Sequence, residues 1–229
     1  LGNMGYPNIH PVFADFVRRA EVHTIAEPGY TDAVEFEDGK IMMGKHQALK
    51  QVTWENIKAR YGFDKFKAKV EGAQLVGFVN WTMLAYMSDI WSAVQTEICP
   101  ALTGKRRKLF IDLADPEKRT AEDISRALKL ITQFQNYFDV VLGLNEKESY
   151  EIGNNLGLNT KDQTKEGLLK LCQEIHKRLA IDSLVVHPTA FALASGPDGA
   201  YLVEGPFTPK PKITTGAGDH FNSGFCLGK

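Results

Sequence analysis

Asp219 stands directly behind Gly216-Ala217-Gly218 and ahead of Phe221 and Phe225, which are four residues apart. Two glycines around an alanine let successive backbone N–H groups converge on one point, and the apolar spacing after Asp219 predicts the first turns of a helix. Amides at a helix N-terminus, with the positive end of its dipole, make an anion site. In phosphoryl transfer such a site stabilises the charge that develops on the transferred group. Gly216, Ala217 and Gly218 therefore read as an anion hole, with the amides of Ala217, Gly218 and Asp219 on the phosphoryl oxygens. A carboxylate in the same place suits an anion poorly but is well placed to take a proton from a hydroxyl, so Asp219 reads as a general base. A glycine turn capped by aspartate also starts many helices. The wider string from Thr215 to Gly224 is much more specific than that. It is not a dinucleotide fingerprint, because Phe221 holds the third glycine position, and no Walker A sequence occurs.

The elements that must position this segment follow from periodicity. Compact apolar runs at Leu75–Val79, Leu109–Ile111, Val140–Leu142 and Leu184–Val186 predict strands buried on both faces. Helical patterns lie between them, at Ser88–Ile98, Thr120–Tyr137 and Thr160–Leu179, the last with Gln163 placed for a capping box. Strand alternating with helix predicts an α/β fold with a mostly parallel sheet. After Val186 the pattern becomes a hairpin, Phe191–Leu193 and Tyr201–Val203 around Gly196-Pro197-Asp198-Gly199. Toward the N-terminus, His10–Ala20 reads as a helix. Val22–Ala26, Ala33–Phe36 and Ile41–Met43 are short and partly polar, with Glu37-Asp38-Gly39-Lys40 as a hairpin turn. They suggest a small flap over residues 21–44, set against an α/β core of residues 1–20 and 45–229.

The 229 residues suit one main domain, and 43% hydrophobic with 24% charged residues is ordinary for a soluble globular protein. A formal net charge of −1 gives no reason to expect a nucleic-acid groove or an anionic membrane partner. Cys99, Cys172 and Cys226 form no C-x-x-C pair and no disulfide framework, which favours a reducing, cytoplasmic setting. No apolar run approaches membrane-spanning length. Leu1 does not look like a natural start and Phe225–Lys229 stops inside a helical pattern, so both ends look cut.

Other residues sit where chemistry is usual. Asn80 follows a buried strand at its carboxyl end, where α/β sheets place ligands, and is a substrate-contact candidate. Asn145 and Glu148 follow Val140–Leu142. Alone they read as a helix cap with an acidic first turn. The six histidines show no metal spacing, and His220 is expected to point away from Asp219.

The string Thr215–Gly224 resembles the C-terminal signature of the PfkB-type carbohydrate kinases, within the ribokinase-like superfamily. Asn145-Glu146-Lys147-Glu148 is similar to the family's Asn-x-x-Glu element, which implies that Asn145 and Glu148 organise Mg²⁺ and nucleotide phosphates, Glu148 acting indirectly on the metal. Gly2–Gly5 looks like the family's Gly-x-x-Gly, which places Gly5 at the substrate. Asp112–Arg119 loosely resembles its Asp-x-Asn-x-x-Arg stretch. The resemblance implies a three-layer sandwich with a small β lid, and ATP-dependent phosphorylation of a hydroxyl on a sugar or related polyol. It leaves open a nucleoside or hydroxymethyl-heterocycle acceptor, or a non-catalytic binding protein on the same fold. Lid-to-lid pairing as a homodimer also follows from it.

The family's first sheet strand with its sugar-cradling glycine pair would lie before Leu1 and the helices that wall the adenine pocket beyond Lys229; within the chain the sequence departs from the family pattern in two places. His187-Pro188-Thr189-Ala190-Phe191 replaces a Thr/Ser-x-Gly turn, so either Thr189 takes over that contact, with His187 within reach of a phosphate, or the nucleotide is held differently. Ile213 replaces an acidic residue linked to a monovalent cation.

Overall fold

The computed structural model describes residues 1–36, 39–210 and 216–229. The expected turn residues Glu37 and Asp38, Ile213 ahead of the signature and Thr215 at its start lie outside the described residues. The chain divides into two compact units. One comprises Leu1–Gly72 and Met83–Ala101, the other Ala73–Thr82 and Leu102–Lys229.

In the first unit, α1 (Ala14–Val17) is a single turn after a 3-10 turn at Pro11–Phe13. The helix expected over His10–Ala20 is thus much shorter. It buries no residue, and without an apolar face to dock, a short helix has little to hold it. The strand expected at Val22–Ala26 reduces to an isolated parallel bridge between Gly2 and Thr24. β1 (Tyr30–Phe36) and β2 (Gly39–Lys45) form an antiparallel hairpin with Val34 opposite Ile41. Sequence reading passed over α2 (Trp54–Arg60) and α3 (Phe63–Gly72). Thr53 caps α2 by accepting the Asn56 N–H at 3.1 Å. α4 (Met87–Ala93) continues as a π-turn through Val94–Ile98.

The second unit is built on one six-stranded sheet. Its strands β3 (Leu75–Phe78), β4 (Arg107–Asp112), β5 (Phe138–Leu144), β6 (Ser183–Val186), β7 (Phe191–Gly196) and β8 (Gly199–Glu204) lie side by side in chain order. β3 through β6 are parallel, and β7 and β8 add antiparallel hairpins at one edge. All four predicted runs form strands and the terminal hairpin is present, but the first was expected to be buried on both faces and β3, at the sheet edge, buries no residue fully. α5 (Ala121–Phe134) starts at Thr120, whose hydroxyl accepts the Asp123 N–H. It buries Ile124, Ala127, Leu128, Leu130, Ile131 and Phe134. α6 (Glu146–Asn155) follows β5 directly. α7 (Lys165–Leu179) is capped by Thr164, which accepts the Gly167 N–H at 3.1 Å, so its start lies after Thr160 and Gln163 is no cap. Asp162 takes the Thr164 hydroxyl and amide and so shapes the entry.

α8 (Ala217–Gly228) lies on one sheet face, where Phe221, Phe225 and Cys226 pack against Phe110, Val141 and Val185. Side chains alternate along a strand, so Asp112, Gly143 and His187 belong to this same face, each two residues beyond one of those apolar contacts.

Candidate active site

The carboxyl ends of the four parallel strands carry, in order, Asn80, Asp112, Asn145 and His187. Open α/β sheets gather ligand-binding groups at that edge.

α8 begins at Gly216, whose φ of +85° is a left-handed backbone that only glycine adopts without strain. The first intrahelical bond of this turn runs from the His220 N–H to the Gly216 carbonyl at 3.0 Å. The N–H groups of Ala217, Gly218 and Asp219 precede it and have no partner within the helix. Among the described residues no side chain caps them. The exposed Asp219 side chain stands at the same turn. The Nδ1–H of His220 bonds back to the Gly216 carbonyl at 2.8 Å, which turns the imidazole to the helix start and tightens the glycine turn.

Beneath this turn lies Asp112, the first residue of the stretch Asp112–Arg119, to which sequence reading gave no role of its own. Asp112 Oδ1 accepts the Ala114 N–H at 2.8 Å, and its Oδ2 accepts the Nδ2–H of Asn222 at 2.7 Å. Burial pushes the Asp112 carboxyl above its ordinary value, and the nearby Asp219 carboxylate adds to the rise. The available signal was an aspartate closing an apolar strand, Leu109-Phe110-Ile111-Asp112.

Glu148 is 4% exposed, and both its oxygens accept backbone amides: Oε2 from Asn145 and Oε1 from Asp115, each at 2.8 Å. Asn145 Oδ1 accepts the Glu148 N–H at 2.9 Å, completing a capping box at the start of α6. Burial raises the Glu148 carboxyl, while the two amide bonds oppose the rise. The Asp115 amide it holds belongs to a turn where Ala114 and Asp115 both have left-handed φ, +58° and +69°. For residues with side chains such backbone persists only where the surroundings enforce it. Asp112 and Glu148 enforce it here from opposite ends.

His187 is half-buried, its ring centroid 4.9 Å from that of Phe221. A side chain on Gly218 would meet His187 Cε1 at 3.3 Å, so the imidazole forms the floor under the anion turn. Burial lowers its basicity, favouring the neutral ring. Thr189 is exposed between β6 and β7. Asn80 has φ +62°, and the chain after it is clamped by Arg119, which donates to the carbonyls of Thr82 at 2.9 Å and Trp81 at 3.2 Å and lies over the Trp81 ring. Gly5 belongs to the other unit. Its φ is +114° and an added Cβ would lie 2.3 Å from the Asn8 carbonyl, so this turn requires glycine.

A hard divalent cation takes oxygen ligands. The carboxylates of Asp112, Glu148 and Asp219 supply that chemistry, and Asp112 lies close enough to each of the other two to influence its ionisation or be influenced by it. With both oxygens already accepting amides, Glu148 fits an outer role through water better than direct ligation.

The fold is ribokinase-like, the fold that PfkB-type carbohydrate kinases share. It is similar to ribokinase of Thermotoga maritima, with a TM-score of 0.62 at 15% identity, covering 99% of this chain and 65% of that one. A ribokinase II structure from E. coli in complex with ATP and Mg²⁺ matches with a TM-score of 0.55 at 12% identity, over 90% of this chain and 60% of that one. The family model for prokaryotic ketohexokinase matches residues 1–229, and the chain belongs to that family. A ketohexokinase of Haloferax volcanii is 30% identical over 227 residues, which is 99% of this chain and 59% of that protein. The chain thus spans about three fifths of the length of this curated relative.

Proposed function

We propose that the protein transfers the γ-phosphoryl group of ATP to a hydroxyl of a sugar, with ketohexoses as the acceptor class. The observation that carries this reading is the start of α8, where three amides without helical partners and the Asp219 carboxylate share one turn. In the proposed reaction Asp219 takes the acceptor proton as the hydroxyl oxygen attacks phosphorus. The N–H groups of Ala217, Gly218 and Asp219 hold the phosphoryl oxygens. Fixed donors need no reorganisation as charge develops, so positioning and electrostatics supply most of the rate. Mg²⁺, when bound, would neutralise donor-phosphate charge, with Asp112 and Glu148 orienting its water shell and Asn145 completing that corner. The relative's name, ketohexokinase, supports the acceptor class, and the ATP–Mg²⁺ complex of the E. coli neighbour supports the donor. Asn80 and Gly5 are proposed as sugar contacts, and His187 with Thr189 as the nucleotide-side wall.

The β1–β2 hairpin is proposed as the lid. Val34, Phe36, Ile41, Met42 and Met43 on it are exposed, which suits pairing with a second copy of the chain. A cytoplasmic setting accords with the free cysteines Cys99, Cys172 and Cys226. No helix among the described residues is long and apolar enough to cross a membrane.

The test is ADP release by the full-length protein with ATP and Mg²⁺, across ketohexoses, aldohexoses, pentoses and nucleosides. Release that depends on a ketohexose and is lost in Asp219→Asn is the expected result. Preference for a nucleoside would replace the acceptor assignment. Tight ligand binding without turnover would replace catalysis by a binding role.

A further inference from the structure

Three residues beyond Asp219, Asn222 is on the same helix but faces the sheet. It is 7% exposed, and its Nδ2–H donates to Asp112 Oδ2 at 2.7 Å across 110 residues of sequence. The amide lies over Gly143, where an added Cβ would sit 3.2 Å from Asn222 Oδ1 and 2.7 Å from Phe110 Cζ. Asp112 and Gly143 are register partners on β4 and β5, so Asn222 straddles the two central parallel strands. Turning the amide over would set its oxygen against the Asp112 carboxylate, so charge fixes which end points down. Asn222 Oδ1 is buried without a hydrogen-bond partner among the described residues. A buried polar atom left in that state is costly, and sequences rarely keep one without a return elsewhere.

At its far end α8 is tied by Lys229, whose Nζ donates to Ser183 Oγ at 2.8 Å and pairs with Asp182, and whose carbonyl accepts from Lys108. Around Asn222 its contacts with the sheet are apolar, Phe221, Phe225 and Cys226 on Phe110, Val141 and Val185. Such contacts are non-directional and permit a helix to slide or roll by fractions of an ångström. A hydrogen bond to a carboxylate does not. Asp112 is itself anchored, through the Ala114 amide, to the left-handed turn that Glu148 also holds.

We propose that Asn222 is a positioning residue: its bond to Asp112 over Gly143 fixes the height and rotation of α8, and with them the three free amides and the Asp219 carboxylate. The catalytic consequence rests on the phosphotransfer reading; the positional one does not. Residues three apart on a helix lie about 60° apart around its axis, so a roll that releases Asn222 carries Asp219 with it.

The experiment uses the full-length protein and three variants. Asn222→Leu keeps the volume and removes the donor. Asn222→Asp sets two carboxylates together. Asp112→Asn with Asn222→Asp restores a bond with donor and acceptor exchanged, since the amide introduced at position 112 still offers its oxygen to the Ala114 N–H. Amide hydrogen exchange over α8 in Asn222→Leu is expected to rise about tenfold or more, with β4 and β5 unchanged. Turnover is expected to fall about tenfold to a hundredfold while KM for both substrates stays within about threefold. The exchanged pair is expected to recover α8 protection that Asn222→Asp loses.

Equal α8 protection in wild type and Asn222→Leu overturns the proposal whatever the activity. So does loss of protection that spreads evenly through the sheet, which would mark a merely structural role, and so does an exchanged pair no better than Asn222→Asp alone. A wild type without turnover, but with α8 protection lost selectively in Asn222→Leu, removes the phosphotransfer reading and supports the positioning role.

Discussion

Glu148 holds the backbone of Asp115, its Oε1 accepting that N–H at 2.8 Å from 33 residues further along the chain. The same carboxylate caps its own helix at Asn145. One side chain therefore ties the turn after β4 to the start of α6. Glu148→Ala leaves both amides without their acceptor, and the expected loss is about 2 kcal/mol or more of unfolding free energy. A urea titration reads it as a lower midpoint at unchanged slope. A midpoint equal to wild type would show that water replaces the carboxylate at no cost.

Asp219 is exposed, and its carboxylate makes no hydrogen bond among the described residues. Asp219→Asn is accordingly expected to melt with the wild type while turnover falls by about 10² to 10⁴. Parallel calorimetry and steady-state kinetics separate the two effects. Activity within about tenfold of wild type would remove Asp219 from the role of base.

Gly143 sits where two side chains converge, Phe110 at 2.7 Å and Asn222 at 3.2 Å from an added methyl. The Phe110 ring lies in a packed core and has little room to yield. Gly143→Ala is expected to cost about 1–3 kcal/mol by overpacking. Thermal unfolding measures this, and a melting temperature unchanged from wild type would mean that α8 lifts freely.

His187 is held neutral in the folded chain because burial lowers its pKa below the ordinary 6.5. The unfolded chain then takes up the proton first as pH falls. The resulting stability is complete above 6.5 and is lost as pH drops through the lower folded value. Wild type should therefore lose more stability than His187→Gln between about pH 7 and pH 5. Urea unfolding at three pH values gives the comparison. Parallel decline in the two proteins would show that other groups carry the acid sensitivity.

The sheet was legible because each buried strand is a short, unbroken apolar run ended by a polar residue. Leu109-Phe110-Ile111 and Val140-Val141-Leu142 leave no other reading once helices of the right length flank them. The anion turn was legible because Gly216-Ala217-Gly218-Asp219 states its chemistry locally. The bond between Asp112 and Asn222 was not: each falls in a stretch that was read, Asp112–Arg119 and Thr215–Gly224, but nothing local joins positions 110 apart. The Asn145–Glu148 pair illustrates a different limit. Its spacing fits both a metal element and a capping box; the structure shows the box, and the metal role stays a proposal. The helices at Trp54–Arg60 and Phe63–Gly72 escaped notice because each is short and the segment is rich in lysine, which hides a modest apolar face. His10–Ala20 misled in the opposite way, offering helical spacing with no surface for it to cover.

The strands of the large sheet lie in the order in which they occur in the chain, and α8 returns from beyond the last of them to the ends of β4 and β5. On the ribosome the N-terminal strands emerge first and can pair with their neighbours at once, at low loop-closure cost. The turn that would grip phosphate follows all six strands in the chain and can dock on a surface already formed. A chain made only as far as β8 holds the sheet strands without the proposed anion turn, so scaffold precedes site in synthesis.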